Sequence, residues 1–399
     1  MLRPARLGVV LLIAVVSACT ADTEAPADRS DSVVVSTAGP PVAAPEHGTL
    51  VAAEPVADVD RRVAALGATA LRLRYRSTSG VDGSPAEVTG IVFVPAGPAP
   101  AGGRSVVTVG HGTTGGTDDC APSRYPNLLG SIDLVIPLLE RGYLVAVSDL
   151  DGLGNGRPHP YLEPDTAGYN LIDIVRAAQA AVPETSNRWA ALGESQGGQA
   201  SWSAAELAPG YAAGLDFVGA ANLSPAADVS PVAEPGTVLS VPQQMFLPLI
   251  VSGLAVSHPE LDPDAYLHGA LSAQREALVS CTTPAAANKI DIALGLRPAD
   301  SEPRTPQDRA RIGTWLRDRA LPKRPAGGPM LVLIDERDNI VRPEWTRAAV
   351  ERACALGDVI ELRSRPDGLH ADPRDVPVAV DWVADRFDGV VASTTCPSR

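Results

Sequence analysis

Positive charge is short in this chain. Lys and Arg number 33 against 47 Asp and Glu, leaving a formal net charge of −14 over 399 residues. Such a surface repels phosphate backbones, so no nucleic-acid partner is expected. Aromatic residues make up only 4%, while Gly (36) and Pro (37) are plentiful. That bias carries no functional reading. No C-x-x-C and no Cys/His cluster at metal-ligand spacing occurs, so a zinc site is not expected, and neither is another metal or a cofactor. No internal repeat is visible, which removes solenoid and propeller architectures.

What is present reads as an exported globular protein. Apolar residues account for 45% and charged ones for 20%, a balance that supports a large core. Arg3 and Arg6 precede an uncharged apolar run, Leu7 to Val16. The run is too short to cross a bilayer and has the length of a signal-peptide core. It ends in Val16-Ser17-Ala18-Cys19, and small residues before a cysteine resemble a bacterial lipobox, in which Cys19 is acylated. The expectation is a lipoprotein signal peptide over 1–18 and a tether rich in Ala, Pro, Asp, Ser and Thr over 19–46. The protein is then a cell-membrane lipoprotein held by an N-terminal lipid anchor, or an extracellular protein. Export leaves Cys120, Cys281, Cys354 and Cys396, an even number in an oxidising compartment, which favours two disulfides. Three pairings are possible, and spacing does not choose among them.

The middle of the chain alternates strand and helix patterns. Residues 70–76 and 87–94 read as a strand pair, and 105–109, 144–147, 188–192, 214–223, 330–334 and 359–363 as further strands. Helices are expected over 171–181 and 199–207. This alternation predicts an α/β fold, a mostly parallel sheet with helices on both faces. About a hundred helical and Pro-rich residues between the strands at 214–223 and 330–334 exceed what one crossover needs, and read as an inserted cap. The expected limits are 47–224 for the first part of the core, 225–327 for the cap and 328–399 for the second part.

One motif concentrates the chemistry. Gly193-Glu194-Ser195-Gln196-Gly197-Gly198 follows an expected strand and opens an expected helix, the context of a nucleophile elbow. The glycines leave room for a strained turn, and the helix N-terminus favours developing negative charge at Ser195. A nucleophilic serine needs a base and an orienting carboxylate, here in the chain order Ser, acid, His. Of six histidines only His370 lies beyond the late strands, on the loop Ser364–His370. Asp335, Glu336 and Asp338 compete for the acid; Asp338, which opens a turn into the next helix, is preferred, with Asp335 the alternative. The oxyanion hole needs two backbone N–H groups. Gln196 supplies one. The glycine-rich loop Gly110–Gly116 supplies the other, from Thr113 or, as the alternative, Thr114. A phosphate cradle competes for this loop, but no G-x-x-x-x-G-K-[ST] is present.

With these residues in view the chain resembles an α/β-hydrolase, and more closely the secretory lipase family of bacteria and fungi. The matching segments are His-Gly-Thr-Thr-Gly (111–115), Cys120-Ala-Pro-Ser123, Ser148–Gly154, His159–Leu162, Asp173–Ala177, the Ser195 motif and Asp338-Asn-Ile-Val. The resemblance implies a carboxyl-ester hydrolase, triacylglycerol-lipase-like, with a cap over the site and no cofactor. It also implies pairing of Cys120 with Cys281 and of Cys354 with Cys396. Family patterns usually carry Gly where Asp335 stands, and the cap diverges most.

The expected activity is a serine carboxyl-ester hydrolase acting through an acyl-enzyme on lipid or other acyl esters. The alternatives are a serine peptidase or acyltransferase on the same fold, since a triad does not select its leaving group, and an inactive, surface-anchored binding protein. Acyl-chain length and oligomeric state are not legible.

Overall fold

The computed structural model describes residues 47–281 and 288–397. Among them, one sheet is built from β1 (Leu50–Val56), β2 (Thr69–Thr78), β3 (Pro85–Val94), β4 (Arg104–Gly110), β5 (Leu144–Ser148), β6 (Thr185–Glu194), β7 (Asp216–Leu223), β8 (Met330–Asp335) and β9 (Ile360–Arg365). The spatial order is β1-β2-β3-β5-β4-β6-β7-β8-β9. Pairings from β1 to β5 are antiparallel and those from β5 to β9 are parallel. The central strands are short apolar runs buried on both faces, as parallel strands between helical layers must be: every residue of β5 and of β8 is buried.

The helices are α1 (Arg61–Ala65), α2 (Ile132–Glu140), α3 (Pro164–Ala181), α4 (Gln196–Tyr211), α5 (Val241–Ser257), α6 (Gly269–Ala273), α7 (Arg275–Val279), α8 (Lys289–Gly295), α9 (Pro306–Asp318), α10 (Pro343–Leu356) and α11 (Asp375–Phe387). On one face α3, α4 and α10 bury Leu171, Ile174, Trp202 and Ala349. On the other, α2 and α11 bury Leu134, Leu138, Val380 and Val383. The expected α/β architecture is therefore the observed one.

Several elements depart from the sequence reading: α1, α2 and α11 were not expected, and β1 and α3 show why. β1 was not expected, because Leu-Val-Ala-Ala-Glu-Pro-Val is an edge strand with most side chains exposed and no alternation to read. α3 starts seven residues before Leu171. Its first turn has little apolar periodicity and is set by Pro164 at N1 and by Glu163, whose carboxylate accepts from Asp165 N and Thr166 N.

Helices α5 to α9 lie between β7 and β8 and enclose a third apolar cluster around Leu247, Leu254, Leu271, Trp315 and Leu316. Tyr161, Leu162 and Val341, from loops of the sheet domain, belong to the same cluster. The insertion thus packs directly on the rim of the sheet. There β4 is flanked by β5 and β6, so the chain runs opposite ways from it, the crevice where open α/β sheets bind ligands.

Candidate active site

β6 ends at Glu194 and α4 begins at Gln196, so Ser195 alone makes the turn, at φ 54° and ψ −114°. Such a backbone costs on the order of 1–3 kcal/mol for a residue with a side chain. The neighbouring glycines make it possible. A Cβ on Gly197 would lie 1.9 Å from Gly110 O, and one on Gly193 2.1 Å from Gly197 O.

His370 Nε2 lies 2.9 Å from Ser195 Oγ, and its Nδ1 lies 2.6 Å from Asp338 Oδ2. Nδ1–H donating to the carboxylate leaves Nε2 to accept the serine proton. The other oxygen, Oδ1, accepts from Ile340 N (2.8 Å) and Val341 N (3.0 Å). The Asp338 side chain is only 2% exposed, so its orientation is fixed from both sides. The other histidines are engaged elsewhere. His111 bonds Gly112 O and Asp149 O, His268 bonds Glu302 O, and His258 stacks on Trp315.

Asp335, the competing acid, ends β8 and is turned to Ser224, whose Oγ donates to its Oδ2 at 2.9 Å. Burial pushes its carboxyl up to about 6. Ser224 Oγ also accepts from Ala371 N at 3.1 Å, and a Cβ on Gly368 would stand 1.8 Å from Asp335 Oδ1. Asp335 therefore buttresses the loop that carries His370. Glu336 pairs with Arg347.

Register brings the glycine-rich loop to Ser195, since Gly110 on β4 is the partner of Gly193 on β6. Gln196 N–H, first in α4, is one of the donors a helix start leaves without an intrahelical partner. Its side chain is held behind the site: Nε2 donates to His159 Nε2 at 2.8 Å, and His159 Nδ1 donates to Asp151 O at 2.6 Å. Burial pushes His159 down to about 4, so it stays neutral at ordinary pH and can accept. Thr113 bonds Tyr161 Oη through its hydroxyl (2.8 Å), whereas Thr114 donates to Cys120 O (2.9 Å). Gly110-His-Gly-Thr-Thr-Gly115 spells G-x-G-x-x-G, but only a three-residue helical turn, Asp118–Cys120, follows, not the long helix a pyrophosphate site needs.

Cys120 is bonded to Cys281 and Cys354 to Cys396, each with Cα atoms 5.4 Å apart. These are the pairings the family resemblance implied. Asp119 stands near the first bridge, but oxidised sulfurs offer no thiolate to a metal. Signal peptide, Cys19 and tether lie outside the described residues. His159, Tyr161 and Ser224 were not singled out as site residues from sequence; no local pattern marks a residue that supports a loop from a distant strand.

A small apolar cavity opens at Ser195, about 30 Å³, lined by Tyr161 and Val341 from the sheet domain and by Phe246 and Ile250 from α5.

The secretory lipase family model matches residues 130–394. A Mycobacterium tuberculosis (strain CDC 1551 / Oshkosh) protein named "probable inactive lipase" is 29% identical over 349 residues, covering 80% of this chain and 74% of its own. Among solved structures, Candida antarctica lipase A in its closed state is similar with a TM-score of 0.72 and 19% identity, over 88% of this chain and 85% of that one. The rice cell wall degrading esterase LipA from Xanthomonas oryzae gives a TM-score of 0.67 at 19% identity, over 87% and 97%. These two likenesses carry the α/β-hydrolase fold; the family match covers most of the chain, which belongs to the secretory lipase family.

Proposed function

We propose that the protein is a serine carboxyl-ester hydrolase in which Ser195 is the nucleophile, His370 the general base and Asp338 its orienting carboxylate. The observation that carries this reading is the unbroken relay Ser195 Oγ–His370–Asp338, at 2.9 and 2.6 Å, on a strained strand-to-helix turn. His370 takes the serine proton as Oγ attacks the ester carbonyl, then returns it to the leaving alcohol; water resolves the acyl-enzyme by the same route. The N–H groups of Gln196 and Thr113 stabilise the oxyanion. Residues 47–224 and 328–399 act as the hydrolase core, and 225–327 as the cap that faces the acyl group.

The name of the mycobacterial relative raises the reading of an inactive binding protein, and the complete relay favours an active enzyme instead. Two disulfides support export to an oxidising compartment. Cys19 then serves as the lipid anchor after removal of residues 1–18. Among the described residues no helix is long and apolar enough to cross a membrane.

The test is hydrolysis of p-nitrophenyl esters beside the matching anilides, by the wild-type protein and Ser195→Ala. Ester cleavage lost by about 10⁴-fold or more in the variant, with little anilide cleavage, is expected. Anilides cleaved as fast as esters would make it a peptidase, and no cleavage of either would favour the binding protein.

A further inference from the structure

The geometry points to a fixed roof over Ser195 and, with it, to short-chain acyl esters as the substrate class, with Phe246 setting the chain length. This inference rests on the serine-hydrolase reading of the site and deepens it.

The first observation is size. The cavity at Ser195 holds about 30 Å³. A single water position takes about 10–15 Å³ on this measure, so there is room for about two or three such groups, the bulk of an acetyl to butyryl chain. It is lined by Phe246 and Ile250 of α5 and by Trp345 of α10.

The second is that the roof is tied down along three separate edges. At the acid loop, Ser240 Oγ donates to Asn339 O (2.6 Å) and Gln243 Nε2 to Ile340 O (3.0 Å). These acceptors directly follow Asp338. At the loop before α3, Arg319 donates to Tyr161 O (2.8 Å) while also holding Gly253 O (2.9 Å) and Ser257 Oγ (2.8 Å) of α5. Arg319 is buried, so breaking these bonds would strand a desolvated cation. At the same place α5 lies so close that a Cβ on Gly253 would be 2.6 Å from both Tyr161 N and O. At the oxyanion loop, Gly116 N donates to Val279 O (2.8 Å) and Cys120 is bonded to Cys281.

A lid that opens hinges at one edge and breaks weak contacts at the other. Among the described residues three edges that border the catalytic residues are held, one of them covalently. Lifting α5 to admit a long chain would drag the loops that orient Asp338 and the oxyanion donors. The cavity therefore keeps its size during turnover, and a lipid–water interface has no closed lid to displace.

The experiment compares kcat/KM on p-nitrophenyl acetate, butyrate, octanoate and palmitate for the wild type, Phe246→Ala and the milder Phe246→Leu. Tributyrin hydrolysis by the wild type is followed across its solubility limit. One misfit methylene is worth about 10–200-fold, so octanoate should fall at least about tenfold below butyrate in the wild type. Either folded Phe246 variant should raise the octanoate-to-butyrate ratio several-fold, by about tenfold for Ala. No rate jump should accompany the appearance of tributyrin droplets. Palmitate preferred by the wild type, a jump at the interface, or an unchanged ratio in both variants would overturn the fixed roof. Hydrolysis of no ester at any length would overturn the serine-hydrolase reading on which it stands.

Discussion

The sheet domain and the insertion meet at Ser195, and they hold their information differently. In the sheet domain Ser195, Asp338 and His370 lie just beyond the ends of β6, β8 and β9, and the serine is announced by a few contiguous residues. Gly193–Gly198 must be glycine-rich because β4, β6 and α4 touch there through backbone atoms, with Gly110 facing Gly193 and Gly197. The insertion has no such word. Phe246 and Ile250 on α5, Cys281 after α7 and Arg319 after α9 come from three separate segments and meet the site only in the folded chain. The proposed reaction type is thus written locally, in the loops of a sheet, while the proposed selectivity is written in a three-dimensional fit.

The sharpest way to break this comparison is inside the sheet domain. Asp338→Asn should lower turnover by about 10²–10⁴-fold, because the imidazole loses its orienting carboxylate. Asp335→Asn should cost far less, since Asp335 touches His370 indirectly, through Ser224 and Ala371. Steady-state kinetics on one ester decides it. Equal losses would mean the two carboxylates work as a unit, and local spelling would then mislead.

The two disulfides give the next contrast. Cys120–Cys281 closes 161 positions across the boundary between the regions, and Cys354–Cys396 closes 42 within the sheet domain. The chain-entropy model assigns about 5 and about 4 kcal/mol respectively, before native strain. Cys281→Ser should therefore lower Tm at least as much as Cys396→Ser, and it alone should also reduce kcat by loosening the oxyanion loop. Thermal melts and kinetics on both variants check this; activity loss confined to Cys396→Ser would reverse the assignment.

The smallest effect is electrostatic. Burial pushes Asp173 and Glu206, both in the sheet domain, up to about 7. The folded protein keeps protons there that the unfolded chain, with ordinary values near 4, has released. Their contribution is full below about pH 4 and is lost as pH rises through about 7. His159, pushed down to about 4, works the other way, but only below about pH 6.5. Between pH 6.5 and 8 the carboxyls act alone, so Tm should fall as pH rises. Asp173→Asn should flatten that slope.

Legibility follows the same division. β4, β5, β7 and β8 could be read because strands buried on both faces are short apolar runs with little else in them. Ser195 and His370 could be read because elbow geometry and chain order leave few candidates. Asp335 and Asp338 stayed in competition because they stand only three positions apart, and only side-chain direction distinguishes the strand-end carboxylate from the one on the turn. β1 was missed as an exposed edge. His159 was given no role from sequence, since nothing near it reveals Gln196 across 37 positions.

The central claim is that Ser195 is a nucleophile made reactive by His370. It is tested most directly by incubating the protein with a fluorophosphonate probe and mapping the labelled peptide by mass spectrometry. The account predicts one adduct, on Ser195, absent from Ser195→Ala and strongly slowed in His370→Ala. An unlabelled wild type, or label that persists in Ser195→Ala, would contradict it.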